Sequence, residues 1–403
     1  MNNPYPADFA VVVDGWFDGE RRHDTLTTLS IAQHRISDIA AGDHSEALLA
    51  RGCSVQRGAF LMPGLVDAHV HLFLDGQTTD NSTRSAHLKQ PLEQLTEAAR
   101  ASARQALAQG ITLVRDAGDR HGINHHIRTE AQGNSSGLAR VRSTGLGIKR
   151  AKRYGAFMAT DVDDANSIRE SVQSLALHND EIKLILTGII DFDAGAVTDE
   201  PQFTLEETRL VVDTARNSGR STMVHCSGAK GLAIAAAAGV GSIEHGFFMR
   251  REHLAVMAEN QVAWTPTFCP VHFQWAQPQV VGWKPETVGH LRRILDEHAQ
   301  ALVLARELGV TLLLGTDAGS MGVQHGFAVF EEIERFLEAG LSLLNTLTAA
   351  TANSRRHFGQ PHPTLCRGAV FDAMLLANNP FIDIRALRQP LQVWPAMTDN
   401  HAA

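Results

Sequence analysis

Short apolar segments alternate with longer helical patterns through most of this 403-residue chain, and this alternation constrains the fold more than any other feature. The apolar segments are rich in Val, Ile, Leu and Thr, and glycine or polar residues interrupt them, which is typical of buried parallel strands. We expect eight such strands, at 64–72, 111–118, 139–145, 181–188, 221–226, 241–246, 262–267 and 311–317.

Helical patterns occupy the stretches between these segments. Residues 91–110 have the periodicity of a helix and end at a glycine, as helices often do. Another pattern begins at Thr204, three residues before Glu207, which is the spacing of a capping box. Eight strands that alternate with helices predict an α/β fold of the (β/α)8 TIM-barrel type. A doubly wound open sheet is the alternative that periodicity alone leaves open.

The two ends of the chain have a different pattern. Residues 1–60 contain short strand-like segments joined by turns, and β-like composition returns after residue 360. We therefore expect a small flanking β-sandwich domain, built from residues 1–60 and 360–403, beside a barrel formed by residues 61–359.

Composition narrows the classes of function. The chain has 36 Lys and Arg against 44 Asp and Glu, so its net charge of −8 argues against nucleic-acid or anionic-membrane partners. Its four cysteines lie far apart without a C-x-x-C pair, which favours reduced thiols and a cytoplasmic location. The first twenty residues lack the pattern of a signal or membrane segment. A homo-oligomer stays open, because no interface is readable in the sequence.

Metal-ligating side chains stand at the ends of four expected strands. His69 and His71 end the first, His225 the fifth, His245 the sixth and Asp317 the eighth. The C-terminal strand ends of a barrel converge on one face, where active sites are built. Imidazole and carboxylate groups suit zinc, manganese, iron or cobalt. An isolated pair of histidines would indicate packing, but this convergence predicts a metal site.

Lys183 lies in the fourth expected strand, between apolar neighbours. A buried lysine is costly unless it is paired or neutral. It could form a salt bridge with Glu181 or Asp116, or its side chain could extend outward to solvent. Alternatively, a desolvated amine could react with carbon dioxide and form a carbamate that bridges two metal ions.

Together these motifs resemble the amidohydrolase superfamily, in its branch of imidazolonepropionase-like and prolidase-like metal-dependent hydrolases. The resemblance covers nearly the whole chain, although the 143–160 loop lacks the Gly-Gly-His run common in relatives. The residues that carry it are PGLVDAHVHL (63–72), ITLVRDAG (111–118), IKLILTG (182–188), VHCSGAKGLAIAAAAGVGSIEHG (224–246), LLLGTDAG (312–319) and the closing helices of 325–359.

The resemblance implies a binuclear centre of two divalent ions, with zinc as the first choice and manganese, cobalt or iron as alternatives. The ligands it implies are His69, His71 and Asp317 for one ion, and His225 and His245 for the other. Carboxylated Lys183 and a hydroxide would bridge the two ions. Asp317 would act as the general base and then the general acid.

The chemistry that follows is hydrolysis of an amide or amide-like C–N bond in a small-molecule substrate, such as a dipeptide or N-acyl amino acid. From the 143–160 loop we expect Tyr154 to bind the substrate carbonyl or carboxylate, with Arg153 or Arg150 as the second choice. The alternative function is a mononuclear deaminase or cyclic amide or imide hydrolase, with Lys183 only structural. A scaffold without activity is disfavoured, because every expected ligand is present.

Other polar residues fall near the expected site. Asp116 and Glu244 are candidates to accept a hydrogen bond from a ligating histidine. We expect Glu244 to point away from His245 and to be structural. The remaining candidates are His121, His272 and His325, each expected at the surface or in packing, and Cys226, expected to face away from the site.

Overall fold

The computed structural model describes residues 8–133 and 136–397. Its strands are, in chain order, β1 (Phe9–Phe17), β2 (Arg22–His23), β3 (Thr27–Ala32), β4 (Arg35–Ala41), β5 (Val55–Pro63), β6 (Leu65–Val70), β7 (Ile111–Asp116), β8 (Arg140–Ser143), β9 (Gly147–Lys149), β10 (Ala159–Asp161), β11 (Glu181–Ile185), β12 (Ser221–Cys226), β13 (Ser242–His245), β14 (Ala263–Thr265), β15 (Ala373–Leu376) and β16 (Pro390–Trp394).

The helices lie mostly between the strands of the central part. They are α1 (Ser45–Ala50), α2 (Asn81–His87), α3 (Leu92–Ala108), α4 (Ile123–Ala131), α5 (Ala165–Ala176), α6 (Leu205–Asn217), α7 (Ala229–Ala238), α8 (Arg251–Glu259), α9 (Phe268–Ala276), α10 (Pro278–Val281), α11 (Pro285–Glu307), α12 (Ala328–Glu338), α13 (Leu343–Thr348) and α14 (Ser354–His357). A π-helical turn at Ala349–Asn353 joins the last two, and a 3-10 helix spans Ile384–Arg388.

Two parallel sheets form the centre of the molecule. One has the order β6-β7-β8 and the other β10-β9-β11-β12-β13-β14, and every neighbouring pair within them is parallel. Along both sheets the strands follow almost the order of the chain and do not reverse about a central strand, as those of a doubly wound sheet would. This order fits a TIM-type barrel.

The prediction of a regular eighth strand at 311–317 is wrong. The segment forms only isolated parallel bridges, Trp264 with Leu312 and Val70 with Ala318, which connect it to β14 and to the end of β6. Its backbone nevertheless follows β6, since Ala68 N–H donates to Leu314 at 2.8 Å. The backbone ladder is interrupted where Thr316 N–H donates to the Asp67 side chain at 3.0 Å, and it ends at Asp317, whose φ of 58° is outside the extended region.

Helix α3 shows how the helices cover the sheets. Its buried positions are Leu95, Ala99, Ala103, Ala106 and Leu107, spaced so that one apolar stripe faces the core. The predicted capping box of α6 is confirmed, because the Thr204 hydroxyl accepts from Glu207 N–H and the Glu207 carboxylate accepts from Thr204 N–H.

Both ends of the chain join one seven-stranded sheet, in the order β16-β15-β5-β1-β3-β4 with β2 paired to β1. Strand β5 lies between β1, from the start of the chain, and β15, from its end. A separate apolar cluster that includes Phe9, Leu29 and Trp394 packs against this sheet. The two-layer sandwich, and the division at residues 60 and 359, stay predictions.

None of the described helices combines the length and the apolar character that crossing a membrane requires.

Candidate metal centre

His69 and His71 lie at the C-terminal end of β6 and are both buried. Residues two apart on a strand share a face, and both imidazoles therefore point to one place. The Asp317 Oδ1 atom is 3.6 Å from His69 Nε2 and 3.7 Å from His71 Nε2. One ligand atom from each of the three residues lies within 4.8 Å of the other two, which is close enough to hold one metal ion.

The backbone at Asp317 explains how its carboxylate reaches both histidines. Its N–H donates to His69 carbonyl oxygen at 2.7 Å, which anchors the segment to β6. Its left-handed φ then turns the chain at the end of the segment. The Ser320 hydroxyl donates to Asp317 Oδ2 at 2.9 Å, so the other oxygen, Oδ1, faces the histidines.

His225 and His245 lie at the ends of the neighbouring strands β12 and β13. Their ring centroids are 4.6 Å apart, and the His245 ring is 4.9 Å from that of His69. The His245 Nδ1 atom is 2.8 Å from Thr267 Oγ1. The four histidine rings therefore form a continuous group along three strand ends of the two parallel sheets.

Lys183 lies in β11, fully buried, and its Nζ has no hydrogen-bond partner among the described residues. Neither of the salt bridges considered for it, with Glu181 or Asp116, is present. Instead, Glu181 pairs with Arg115 at 3.1 Å. Burial lowers the pKa of the Lys183 amine to about 8, so about a tenth of the population is neutral one pH unit below that value.

Three unpartnered buried atoms provide the test of fit for a metal. They are His69 Nε2, His225 Nε2 and Lys183 Nζ, which have no hydrogen-bond partner although such atoms are normally satisfied. The nitrogen atoms of imidazole, with a carboxylate beside them, are a donor set that divalent metals prefer. The residues present therefore fit a metal ion, and His69, His71 and Asp317 form a group that could bind one.

Burial sets the protonation of these groups. It lowers the pKa of His71 and of His225 to about 3 and lowers that of His69 well below its ordinary value. The imidazoles are therefore neutral, which is the form that binds metals. Burial also raises the pKa of Asp317 to about 7.

Glu244 holds His69 in orientation. Its Oε2 lies 2.8 Å from His69 Nδ1, which leaves His69 Nε2 directed towards Asp317. The other oxygen, Oε1, accepts from Arg115 Nη2 at 2.9 Å and from the Ser242 hydroxyl. Arg115 also donates to Glu181, and all three charged residues are fully buried.

The expectation that Glu244 is only structural is therefore wrong. Glu244 contacts His69 directly, and the His245 ring also lies 4.9 Å from that of His69. His245 has a φ of 67°, so the regular alternation of β13 ends at this residue. The signal in the sequence was the carboxylate beside a ligand-type histidine, and its partner could not be identified without the strand order.

Asp116 binds backbone N–H groups and does not form a hydrogen bond with a histidine ring. Its carboxylate accepts from the N–H groups of Leu72 and Gly118, each at 2.9 Å, and from the Asn124 amide at 3.2 Å. The Gly118 carbonyl oxygen is in turn 3.3 Å from His71 Nδ1. Asp116 thus acts on His71 only through the turn that follows β7.

The two expected substrate-binding residues lie in different places. Tyr154 lies beside the centre, with its ring centroid 5.2 Å from that of His225. The Arg153 guanidinium donates to the Glu200 carbonyl oxygen and is not among the residues that line the cavity next to Tyr154. Substrate binding by Tyr154 stays a prediction. The position of Arg153 does not support a substrate-binding role for that residue.

Three further histidines and one cysteine stay outside this group. His121 is exposed. His272 lies 2.6 Å from the Arg335 guanidinium, and His325 Nε2 lies 3.2 Å from the Leu74 carbonyl oxygen. Burial raises the pKa of the Cys226 thiol far above its ordinary value, which makes this residue a poor nucleophile.

The chain is similar to known proteins over most of its length. The chain is 28% identical to an uncharacterised protein of Mycobacterium tuberculosis over 326 residues, 80% of this chain and 81% of that one. It is 25% identical to an ochratoxinase of Aspergillus niger over 371 residues, 84% of this chain and 75% of that one.

Among solved structures, a Xaa-Pro dipeptidase with bound methionine superposes with a TM-score of 0.79 at 24% identity, covering 95% of this chain and 97% of that one. This likeness shows a shared fold. The amidohydrolase family matches residues 60–395, most of the chain. The predicted family is therefore confirmed, and the chain belongs to the amidohydrolase family.

Proposed function

We propose that this protein is a binuclear metal-dependent hydrolase that cleaves an amide or amide-like C–N bond in a small substrate. The observation that carries the proposal is the convergence of His69, His71 and Asp317 within reach of one ion. His225 and His245 would hold a second ion, because their rings continue the same group. We propose zinc first, with manganese, cobalt or iron as alternatives.

As a carbamate, Lys183 would connect the two groups of predicted metal ligands. Its amine is fully buried, has no hydrogen-bond partner among the described residues and has a pKa lowered towards neutrality, all of which favour reaction with carbon dioxide. A carbamate would also supply negative charge to a group of neutral histidines. Gly147 leaves room for the Lys183 side chain, since a Cβ at residue 147 would lie 3.0 Å from Lys183 Cβ and Cγ.

A bound divalent metal would polarise the substrate carbonyl and lower the pKa of a water molecule. The protein's own contribution is the handling of protons by Asp317, whose Oδ1 faces the two histidines while its Oδ2 accepts from the Ser320 hydroxyl. Asp317 would take the proton from the attacking water and deliver it to the leaving nitrogen. An amine is a poor leaving group unless it is protonated, so this transfer is needed for turnover.

The substrate class is supported by the relatives. One structural neighbour is named a Xaa-Pro dipeptidase and one curated relative an ochratoxinase, and both names denote enzymes. We therefore propose dipeptides, N-acyl amino acids and related small amides as substrates.

A second candidate function is a mononuclear deaminase or cyclic amide or imide hydrolase. One specific observation favours it. Among the described residues, His69, His71 and Asp317 are the only group of three potential ligands close enough for one ion, and His225 and His245 do not form another. Under this alternative Lys183 would be structural.

The experiment is a comparison of Asp317→Asn with the unsubstituted protein on a panel of N-acyl amino acids, dipeptides and deaminase substrates. We expect amide hydrolysis by the unsubstituted protein and a loss of about a hundredfold or more in Asp317→Asn. Asp213→Asn, at an exposed position of α6, is the control and should keep full activity. Ammonia release from deaminase substrates without amide hydrolysis would favour the second candidate.

A further inference from the structure

A cavity of about 320 Å³ opens beside the candidate metal centre. Helix α2, through Arg84 and Ser85, and the loop that follows Asp317, through Ser320 and Met321, both contribute to its lining. The side chains that matter for its chemistry are Leu74, Arg84, Leu88, Tyr154, Phe157 and Met321.

Three lining residues contact the predicted metal ligands. The Tyr154 ring is 5.2 Å from the His225 ring, and the Phe157 ring is 5.9 Å from the His71 ring. Ser320, also in the lining, donates to Asp317. A molecule in this cavity would therefore lie against the centre on the side where Asp317 transfers protons.

Arg84 is half-buried in the cavity wall, and its hydrogen bonds go to carbonyl oxygens alone. Nη1 donates to Asp75 and Thr78, and Nη2 donates to Gly319 at 3.0 Å. Among residues 8–133 and 136–397, Arg84 forms no ion pair with a carboxylate. The Asp75 and Asp317 carboxylates act on its charge only from beyond ion-pair distance, and burial still lowers the pKa of the guanidinium below its ordinary value.

Arg84 also keeps two hydrogen-bond donors. A guanidinium has five N–H groups, and the three described bonds leave Nε and one Nη2 hydrogen. These two belong to adjacent nitrogens, the arrangement that binds a carboxylate in bidentate fashion. The cavity's own carboxylate, Asp75, is already engaged, since its Oδ1 accepts from Gln77 N–H at 2.8 Å and from Thr78 N–H at 3.2 Å.

We propose that Arg84 binds a carboxylate of the substrate, and that the apolar wall of Leu74, Leu88, Phe157 and Met321 receives an apolar side chain beside it. This inference rests on the proposed function and narrows its substrates to amides that carry a free carboxylate next to an apolar group, as an N-acyl amino acid or a dipeptide does. A single guanidinium with two free donors matches one carboxylate, whereas a dianionic phosphate would leave charge uncompensated.

The test uses two probes that differ only in that carboxylate, N-benzoyl-L-phenylalanine and N-benzoyl-L-phenylalaninamide. Benzoate release by the zinc-loaded protein is measured for both, and calorimetric binding of both is measured in parallel. We expect a preference for the acid of at least about tenfold in KM or Kd. In Arg84→Gln the acid should lose this advantage and the amide should change less than about twofold.

Arg84→Lys should recover part of the preference, because it keeps the charge and loses the bidentate geometry. Arg209→Gln, an exposed arginine on α6, is the matched control. Equal losses for acid and amide in Arg84→Gln would show that Arg84 only joins the two loops, and would overturn the inference. Selective binding of the acid without hydrolysis of either probe would support the inference and count against the proposed function.

Discussion

At the scale of single residues, the buried carboxylate of Glu244 determines how His69 is presented. It contacts His69 through one oxygen and Arg115 through the other. In Glu244→Gln one of these two partners must face an amide N–H and lose its acceptor. We expect metal affinity to fall by about 10- to 100-fold, because groups that orient metal-binding histidines have effects of this size.

Glu181→Gln is the matched control for this prediction. Glu181 binds the same Arg115 at 3.1 Å but has no hydrogen bond to a predicted ligand. Its substitution should lower thermal stability and leave metal affinity within about threefold, measured by competition with a chromogenic chelator. Equal losses of affinity in the two variants would contradict the role given to Glu244.

A second residue-scale prediction concerns Glu332, a buried carboxyl group in α12. It accepts from Phe268 N–H at 2.9 Å and Cys269 N–H at 3.0 Å, and burial raises its pKa to about 8 from the ordinary 4.5. The folded protein therefore holds this proton more tightly than the unfolded chain. The resulting stability is complete below pH 4.5 and is lost as the pH rises towards 8.

Glu332→Gln should remove this contribution. One pKa unit corresponds to about 1.4 kcal/mol, so the free energy of unfolding of the parent protein should decline measurably over this interval. Urea unfolding at a series of pH values is the measurement. An equally steep decline in Glu332→Gln would show that other groups cause the pH dependence.

At the scale of secondary-structure elements, the predictable part was the set of short apolar strands. Seven of the eight expected segments contain the strands β6, β7, β8, β11, β12, β13 and β14, because buried parallel strands are marked by their composition. The prediction of a regular strand at 311–317 failed because the turn at Asp317 depends on hydrogen bonds to residues of β6, which lie far away in the sequence. Likewise, Glu244 and Arg115 meet only through the order of the strands.

The approach of β9 to β11 gives an element-scale prediction. In Gly147→Ala the new Cβ would lie 2.9 Å from the Lys183 carbonyl oxygen and 3.0 Å from its Cβ. Either the strands separate or Lys183 shifts, and we expect a loss of about 1–3 kcal/mol in stability together with a lower metal content. Thermal unfolding and elemental analysis measure the two effects.

Gly289→Ala provides the control for this substitution. Gly289 lies exposed in helix α11, and an added Cβ would meet no atom within 4 Å. Alanine is favoured over glycine within helices, so this variant should be more stable by about 0.5–1 kcal/mol with unchanged metal content. A Gly147→Ala protein that keeps both stability and metal would show that the fit around Lys183 is looser than described.

At the scale of the whole molecule, two parallel sheets and the 311–317 segment bring distant parts of the chain to one place. His69 and Asp317 are separated by most of the chain, yet their side chains lie 3.6 Å apart. The sequence could predict this meeting because strand ends of such folds converge. It could not predict the cavity beside α2, because nothing in its loops indicates which of them pack together.

The most direct test of the binuclear site is the metal content per chain, measured by elemental analysis on protein produced with zinc and bicarbonate. We expect close to two ions per chain, falling to one or fewer in Lys183→Ala. One ion per chain in both proteins would contradict the bridged site and favour the mononuclear alternative. No bound metal in either protein would contradict the metal centre itself.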